Sequence, residues 1–276
     1  MITIIFGAPG SGKSSLNTYF LKRVYRREGI VRLDKASALI AKANENRQKP
    51  LSVPDKPPIF SNYKVSFQTG YEETFEPYLI NGFYMGLAND RIPTQYIPPA
   101  SAVFLDEAQR FYDSRKSATF PEFVSRFYEM HRHFHIDLWL AVQRPILIDA
   151  NIRALSRKFI EVDRMEHEKD DAGRIVRTVF HCREFERWEE IEQYTESGTE
   201  CYKTTCYTHE GNIFRSFDSY SYFEAFLPPE GQDFRFLPFR ANTASEIAQQ
   251  DRIFYDTAEP DLFRKVPAKP KKEKTA

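Results

Sequence analysis

Residues 2–6, ITIIF, are a short β-branched run closed by Gly7 and Pro9, the pattern of a strand buried on both faces. From Gly12 the period changes. Leu16, Tyr19, Phe20 and Val24 recur at helical spacing to about Glu28, where Gly29 reads as a stop. Residues 30–33 then predict a second strand, and 35–48, rich in Ala, Lys, Asn and Gln, a surface helix. The stretch 49–58, KPLSVPDKPP, carries four prolines and can be neither element. Residues 59–67, IFSNYKVSF, are strand-like. A proline-rich passage over 93–100 leads into the apolar run Val103-Phe104-Leu105, which ends in Asp106-Glu107. Phe123, Phe127 and Met130 have helical spacing, with Pro121 placed for a first turn, and 136–142, IDLWLAV, predict another buried strand ending at Gln143.

Apolar strands that end in polar residues and alternate with helices predict a mainly parallel sheet covered on both faces. In such sheets ligands bind at the carboxyl ends of the strands. Beyond about residue 159 the texture becomes β-rich over 175–185, 200–208 and 212–217, with His209-Glu210-Gly211-Asn212 as a hairpin turn. This predicts an antiparallel extension of the same sheet over about 159–227. A turn at Pro228-Pro229-Glu230-Gly231 opens a peripheral segment, 228–263, and 264–276 form a Lys-rich tail.

Composition narrows the picture. The 276 residues, 41% hydrophobic and 15% aromatic, hold too much core material for a disordered chain and suit one large domain with an appendage. Lys plus Arg and Asp plus Glu are 39 each, so no global field draws the chain to nucleic acid or acidic lipid. The tail is basic and the body mildly acidic. No apolar run approaches the roughly 18 to 20 residues that span a bilayer, and the apolar start lacks a basic leader, so a cytoplasmic protein is expected. Cys182, Cys201 and Cys206 show no metal spacing and read as reduced thiols. His131, His133 and His135 alternate, which on a strand would align three imidazoles, but no acid or thiol completes a metal set nearby. The aromatic residues after Tyr202 read as packing material.

Chemistry concentrates in three places. Gly7-Ala8-Pro9-Gly10-Ser11-Gly12-Lys13-Ser14 is a full GxxxxGK[ST] pattern between a predicted strand and a predicted helix, with Ser15 just inside the helix. Glycines let several backbone N–H groups point at one phosphate, and the helix adds its positive end. Lys13 would reach the β and γ phosphates and Ser14 would ligate Mg²⁺. In a Walker B pattern, Asp106 would hold the Mg²⁺ and Glu107 would orient or deprotonate water. Gln143 ends the next strand on the same edge, where an amide can donate to phosphate and accept from water. Arg144 and Arg153 are candidates for an arginine finger.

Four stretches, ITIIFGAPGSGKSS, IFSNYKVSF, VFLDEAQRFYDSR and HRHFHIDLWLAVQRPILIDANIRAL, resemble the zonula occludens toxin-like (Zot) domain of filamentous-phage assembly ATPases. Ser219-Tyr220 and the aromatics after it resemble the end of that domain, so the likeness runs over about 1–227. The last long stretch is also similar to FtsK/HerA-type DNA-pumping ATPases. The resemblance implies a P-loop NTPase fold of the RecA-like, three-layer αβα kind. It further implies Mg²⁺-dependent ATP hydrolysis between subunits of a homo-oligomeric ring that helps extrude phage single-stranded DNA or a DNA–protein complex. On it, Lys13 and Ser14 take the phosphate and Mg²⁺ roles, Asp106 and Glu107 the Walker B roles, and Gln143 the sensor role. Many family members carry a membrane helix after this domain, where this chain has its Lys-rich tail. A separate membrane assembly protein, or the tail on anionic lipid, would then place the protein at the inner membrane face. The alternatives are a small-molecule or nucleoside kinase, which needs an arginine-rich acceptor lid absent from the body, and a nucleotide-dependent binding protein with little hydrolysis.

Overall fold

The computed structural model describes residues 1–45, 47–69, 73–80, 97–115 and 122–217. Ten strands are present among them: β1 Ile2–Phe6, β2 Ile59–Ser61, β3 Phe67–Gln68, β4 Thr74–Phe75, β5 Tyr78–Leu79, β6 Ala102–Leu105, β7 Asp137–Val142, β8 Lys158–Lys169, β9 Ile175–Phe185 and β10 Lys203–Glu210. The helices are α1 Lys13–Asn44, α2 Glu122–Met130, α3 Ala150–Leu155 and α4 Trp188–Ser197. Eight strands form one sheet in the order β10-β9-β8-β1-β7-β6-β2-β5, while β3 and β4 pair separately. Every neighbour from β8 to β5 is parallel, and β8, β9 and β10 are antiparallel.

Period-2 alternation along the strands builds the two sides of the core. Ile5 of β1, Phe104 of β6 and Trp139 of β7 pack with Leu16, Phe20, Leu21 and Val24 of α1. Ile2, Ile4 and Phe6 turn the other way, into a cluster with Val124 and Tyr128 of α2, Ile152 of α3 and Ile191 of α4. The result is the three-layer αβα fold of a P-loop NTPase, with a C-terminal antiparallel extension. Phe104 and Trp139 are stacked, with ring centroids 4.4 Å apart. Burying a side chain of this size is worth about 1.5–3 kcal/mol.

Several local expectations are corrected. Gly29 does not stop a helix, and residues 30–33 are not a strand: α1 runs unbroken through both and absorbs the helix expected at 35–48. Gly29 instead makes room for the proline loop, because a Cβ there would lie 3.3 Å from Pro57 Cγ. The Ile30-Val31 pair that mimicked a strand is 75% and 65% exposed. Only Ile59–Ser61 of the strand-like run 59–67 joins the main sheet, because the Asn62 side chain then turns to the backbone of Asp106. Phe67 goes to the β3–β4 pair.

No hairpin forms at 209–212. Gly211 N–H bonds Val176 O at 2.7 Å, Asn212 Oδ1 accepts from Phe214 N at 3.0 Å, and the 3₁₀ turn Ile213–Ser216 buries Ile213. The true reversal lies between β8 and β9, where Asp170 Oδ1 accepts from the backbone N–H of Ala172 and Arg174 and Gly173 has φ +75°. The three histidines sit in a turn after α2 and not on a strand: His131 is buried with Nδ1 against Tyr128 O, while His133 and His135 are exposed. No group of side chains suited to a metal ion occurs among the described residues by His, Cys, Asp and Glu clustering. All three cysteines are free thiols. The segment 228–263, the tail 264–276, Ser219-Tyr220, the turn at 228–231 and the first half of the proline-rich passage at 93–100 lie outside the described residues.

The far half of α1 is anchored at the amino edge of the sheet by Arg32. Its Nη2 meets Asp137 Oδ2 at 2.5 Å and Glu28 Oε2 at 2.7 Å, and its Nη1 meets Ala100 O at 3.1 Å. Burial raises the Asp137 carboxyl, but the hydrogen bonds from Arg32 and the terminal ammonium outweigh it and leave the group below the usual carboxylate range. Breaking a largely buried pair by removing one partner costs about 3 kcal/mol. Arg32→Met is therefore expected to lower the melting temperature at pH 7 by several degrees. Because the folded carboxyl titrates below the unfolded one, the wild type's advantage is complete above about pH 4 and fades as the pH drops through the folded pKa. Thermal melts of both proteins from pH 7 downward check this, and a gap no smaller at the lowest pH at which the wild type still folds than at pH 7 refutes the ion-pair account.

Candidate nucleotide site

The loop between β1 and α1 is shaped by three glycines in conformations that L-residues avoid: Gly7 at φ +150°, Gly10 at +80° and Gly12 at +102°. Two of them also lie against β8. A Cβ on Gly7 would stand 2.5 Å from Val162 O, and one on Gly12 would stand 3.0 Å from Met165 Sδ. Ala8, Pro9 and Gly10 form the exposed crest, whereas Ser11, Lys13 and Ser15 are buried. Ser11 N–H and Lys13 Nζ both donate to Ala8 O, at 3.1 and 2.8 Å. Ser11 Oγ is buried with no hydrogen-bond partner.

Parallel register brings the remaining groups to the same edge. Phe6 pairs with Val142 and Leu105 with Leu140, so Gly7, Gln143 and Asp106 each follow a strand end on that side. Ser14 Oγ donates to Asp106 Oδ2 at 2.7 Å. Gln143 Nε2 reaches Glu107 Oε2 at 3.5 Å, and Gln109 Nε2 donates to the same oxygen. Glu107 itself is left-handed, φ 49° and ψ 40°, and its N–H donates to Asp106 Oδ1 at 3.0 Å. Non-glycine residues rarely adopt this conformation, and it recurs at functional sites.

Burial sets the electrostatics. It pushes the Asp106 carboxyl up, against the Ser14 hydrogen bond, with the charge of Glu107 adding to the rise. Burial also lowers Lys13, partly offset by the charges of Glu107 and Asp106. An amine and a carboxylate both strained toward neutrality are what a bound phosphate chain and a divalent cation would relieve. The donor set fits magnesium–ATP on three counts. The loop leaves no room for side chains at Gly7, Ser11 holds a buried hydroxyl without a partner, and a hydroxyl and a carboxylate meet at one point, the hard oxygen pair that Mg²⁺ takes.

Sequence reasoning missed Asn62, Asn17 and Gln109, which hold the acid pair, and β8, which lines the loop from outside. Asn62 escaped the rule that singled out Gln143 because the strand expected over 59–67 put it in mid-strand, whereas β2 ends at Ser61. Of the finger candidates, Arg144 is exposed. Arg153 is consumed within its own chain: Nη1 bonds Ile148 O at 2.5 Å and Ile146 O at 3.0 Å, and the guanidinium lies 4.8 Å from the centre of the Trp188 ring.

The family model described as Zonular occludens toxin (Zot) matches residues 87–203. Over that span the chain is similar to Zot. The match covers less than half of the chain, holds Asp106, Glu107 and Gln143, and begins after the phosphate loop. No curated protein matches the chain. Among solved structures, the N-terminal domain of zonular occludens toxin from Neisseria meningitidis is 19% identical over 79% of this chain and 98% of its own, with a TM-score of 0.42. The genome packaging NTPase B204 from Sulfolobus turreted icosahedral virus 2, in complex with ATP-gammaS, is 11% identical over 76% of this chain and 97% of its own, with a TM-score of 0.36.

The approach of Gly7 to β8 can be tested directly. The wild type is expected to gain thermal stability with magnesium–ATP and Gly7→Ala to lose that gain, since the new methyl must displace either Val162 or the loop. A nucleotide-dependent shift of undiminished size in this variant would show that the loop is not the binding cradle.

Proposed function

We propose that the protein is a Mg²⁺-dependent ATPase of the Zot type. The observation that carries this reading is the convergence of two pairs on one sheet edge, Ser14 with Asp106 and Gln143 with Glu107. Gly7 to Ser15 form the phosphate cradle, with Lys13 Nζ leaving Ala8 O for the phosphate oxygens. Ser14 and Asp106 hold the metal. Bound magnesium–ATP supplies the γ-phosphoryl group and the cation that neutralises its charge. Glu107 Oε2 takes the proton of the attacking water, and Gln143 Nε2 fixes that carboxylate and the water between strand ends. An amide beside the base favours water over a second substrate, hence hydrolysis over kinase chemistry.

The Zot match over 87–203 supports a wider reading, in which the ATPase is a motor for phage assembly and export of single-stranded DNA. In that reading copies form a homo-oligomeric ring, a neighbouring copy supplies the arginine that Arg153 does not, and the cargo is single-stranded DNA or a phage DNA–protein complex. No helix among the described residues is long and apolar enough to cross a membrane. A separate membrane assembly protein would then hold the ring at the cytoplasmic side of the inner membrane.

Lys13→Ala is expected to abolish ATP hydrolysis, and Glu107→Gln to retain nucleotide while lowering kcat at least a hundredfold. Steady-state assays with and without single-stranded DNA, and native mass with and without magnesium–ATP, test the enzyme and the motor in turn. Turnover that survives Lys13→Ala removes the first, and a strict monomer under all conditions removes the second. The pH profile follows from the two shifted groups. Asp106 is raised, so activity falls on acidification before an ordinary carboxylate would titrate. Lys13 is lowered, so activity falls on alkalinisation before an ordinary lysine would. Both limbs of the kcat/KM profile, which reads the nucleotide-free protein, should therefore lie inside the range from about pH 4 to about pH 10, and those of kcat should lie farther out because bound phosphate and cation relieve both groups.

A further inference from the structure

Two asparagines grip the main chain of the acid-bearing strand where it leaves the sheet. Asn62, the first residue past β2, accepts from Asp106 N–H through Oδ1 at 2.7 Å and donates through Nδ2 to Asp106 O at 2.9 Å. Its own N–H reaches Phe104 O at 3.3 Å. Asn17 of α1, fully buried, donates to Leu105 O at 3.4 Å, and its Oδ1 has no hydrogen-bond partner. A side-chain amide carries the same donor and acceptor as a peptide unit. The Asn62–Asp106 pair is therefore one more rung of ladder, placed beyond the last backbone pairing of β2 with β6, Ser61 with Phe104. It holds Asp106 at the residue before Glu107 takes its left-handed conformation, which persists only where the surroundings over-determine it.

We infer that Asn62 is the positioning residue of the acid pair, fixing the Asp106 backbone so that one carboxylate faces Ser14 and the next faces Gln143. The inference rests on the reading of Asp106 and Glu107 as the hydrolytic acids. Gln109 touches Glu107 but lies within the same turn, so it cannot tie that turn to the rest of the sheet. Asn62 can, because β2 is bonded to both β6 and β5.

The test compares wild type, Asn62→Ala, Asn62→Asp and Lys13→Ala. Hydrogen exchange over residues 103–109 in nucleotide-free protein reads the clamp without any turnover. Asn62→Ala should speed exchange of the Asp106 amide at least tenfold and lower kcat by about 10- to 100-fold, equivalent to the loss of two hydrogen bonds of about 0.5–1.5 kcal/mol each. Nucleotide affinity should stay within threefold and the melting temperature within a few degrees. Asn62→Asp, which keeps the acceptor and the shape but loses the donor, should retain slow exchange and an intermediate kcat, and it decides the matter if the alanine variant folds poorly. Unchanged exchange and kcat in Asn62→Ala, or affinity falling in step with kcat, overturns the inference. Wild-type protein without Lys13-dependent turnover sinks the hydrolysis reading alone, since exchange at Asp106 still decides whether Asn62 holds it.

Discussion

Parallel pairing of β1 with β7, and of β7 with β6, is the constraint on which the rest of the molecule depends. With Phe6 opposite Val142 and Leu105 opposite Leu140, β1 and β7 end level and β6 two residues short of them, and the next residues along the three are a glycine, an amide and an acid. A slip of one residue between β1 and β7 would turn Ile2, Ile4 and Phe6 toward α1 and carry Ile5 to the opposite layer. Register is thus enforced by the two cores, not by the site. The Ser14–Asp106 hydrogen bond is the local outcome of that distant enforcement.

The site is costly to the folded state, and the costs are visible. Asp106 and Lys13 are buried in directions that oppose their charges, Ser11 and Asn17 each bury a polar atom without a partner, and Glu107 is held left-handed. None of these features helps the chain fold. Features of this kind also occur away from the site, at the left-handed Ala100 and His135 and at the buried Arg153 Nε and Thr205 Oγ1, but at the loop and the end of β6 they fall on groups suited to phosphate and metal, which separates residues placed for chemistry from those placed for packing.

The same separation decides what could be read from the chain alone. The strand–loop–helix around Gly7 to Ser14, the acids after Leu105 and the amide after Val142 were legible because each combines a buried apolar run with a residue whose chemistry has no place in a core. The break expected at Gly29 failed because a glycine required for close approach to Pro57 has the same signature as one required to end a helix. The hairpin expected at 209–212 failed for a related reason: the turn residues are real, but Gly211 bonds back to Val176, and the chain after it packs instead of pairing. Helix α3 begins at an Asp149 cap that accepts from Asn151 and Ile152 N–H, a local signal easily lost between two longer elements. Asn62 was hidden because its partner is a backbone 44 residues away, and contacts of that kind leave no period in the sequence.

β8 joins the site-bearing edge of the sheet to the antiparallel extension. Its first residues pair parallel with β1, Thr3 with Lys158 through Phe6 with Glu161, and it then continues past the end of β1 as a partner of β9 alone. At the crossing point the pairing is irregular between Val162 and Arg164, and there the strand presents Val162 O to Gly7 and Met165 to Gly12. A bulge at the rim of a sheet bends its strand and re-aims the side chains beyond it. Here it lets one strand serve as a wall of the phosphate loop and as the root of the extension. A side chain at Gly7 or Gly12 would strike that wall, so the course of β8 by itself requires both loop glycines.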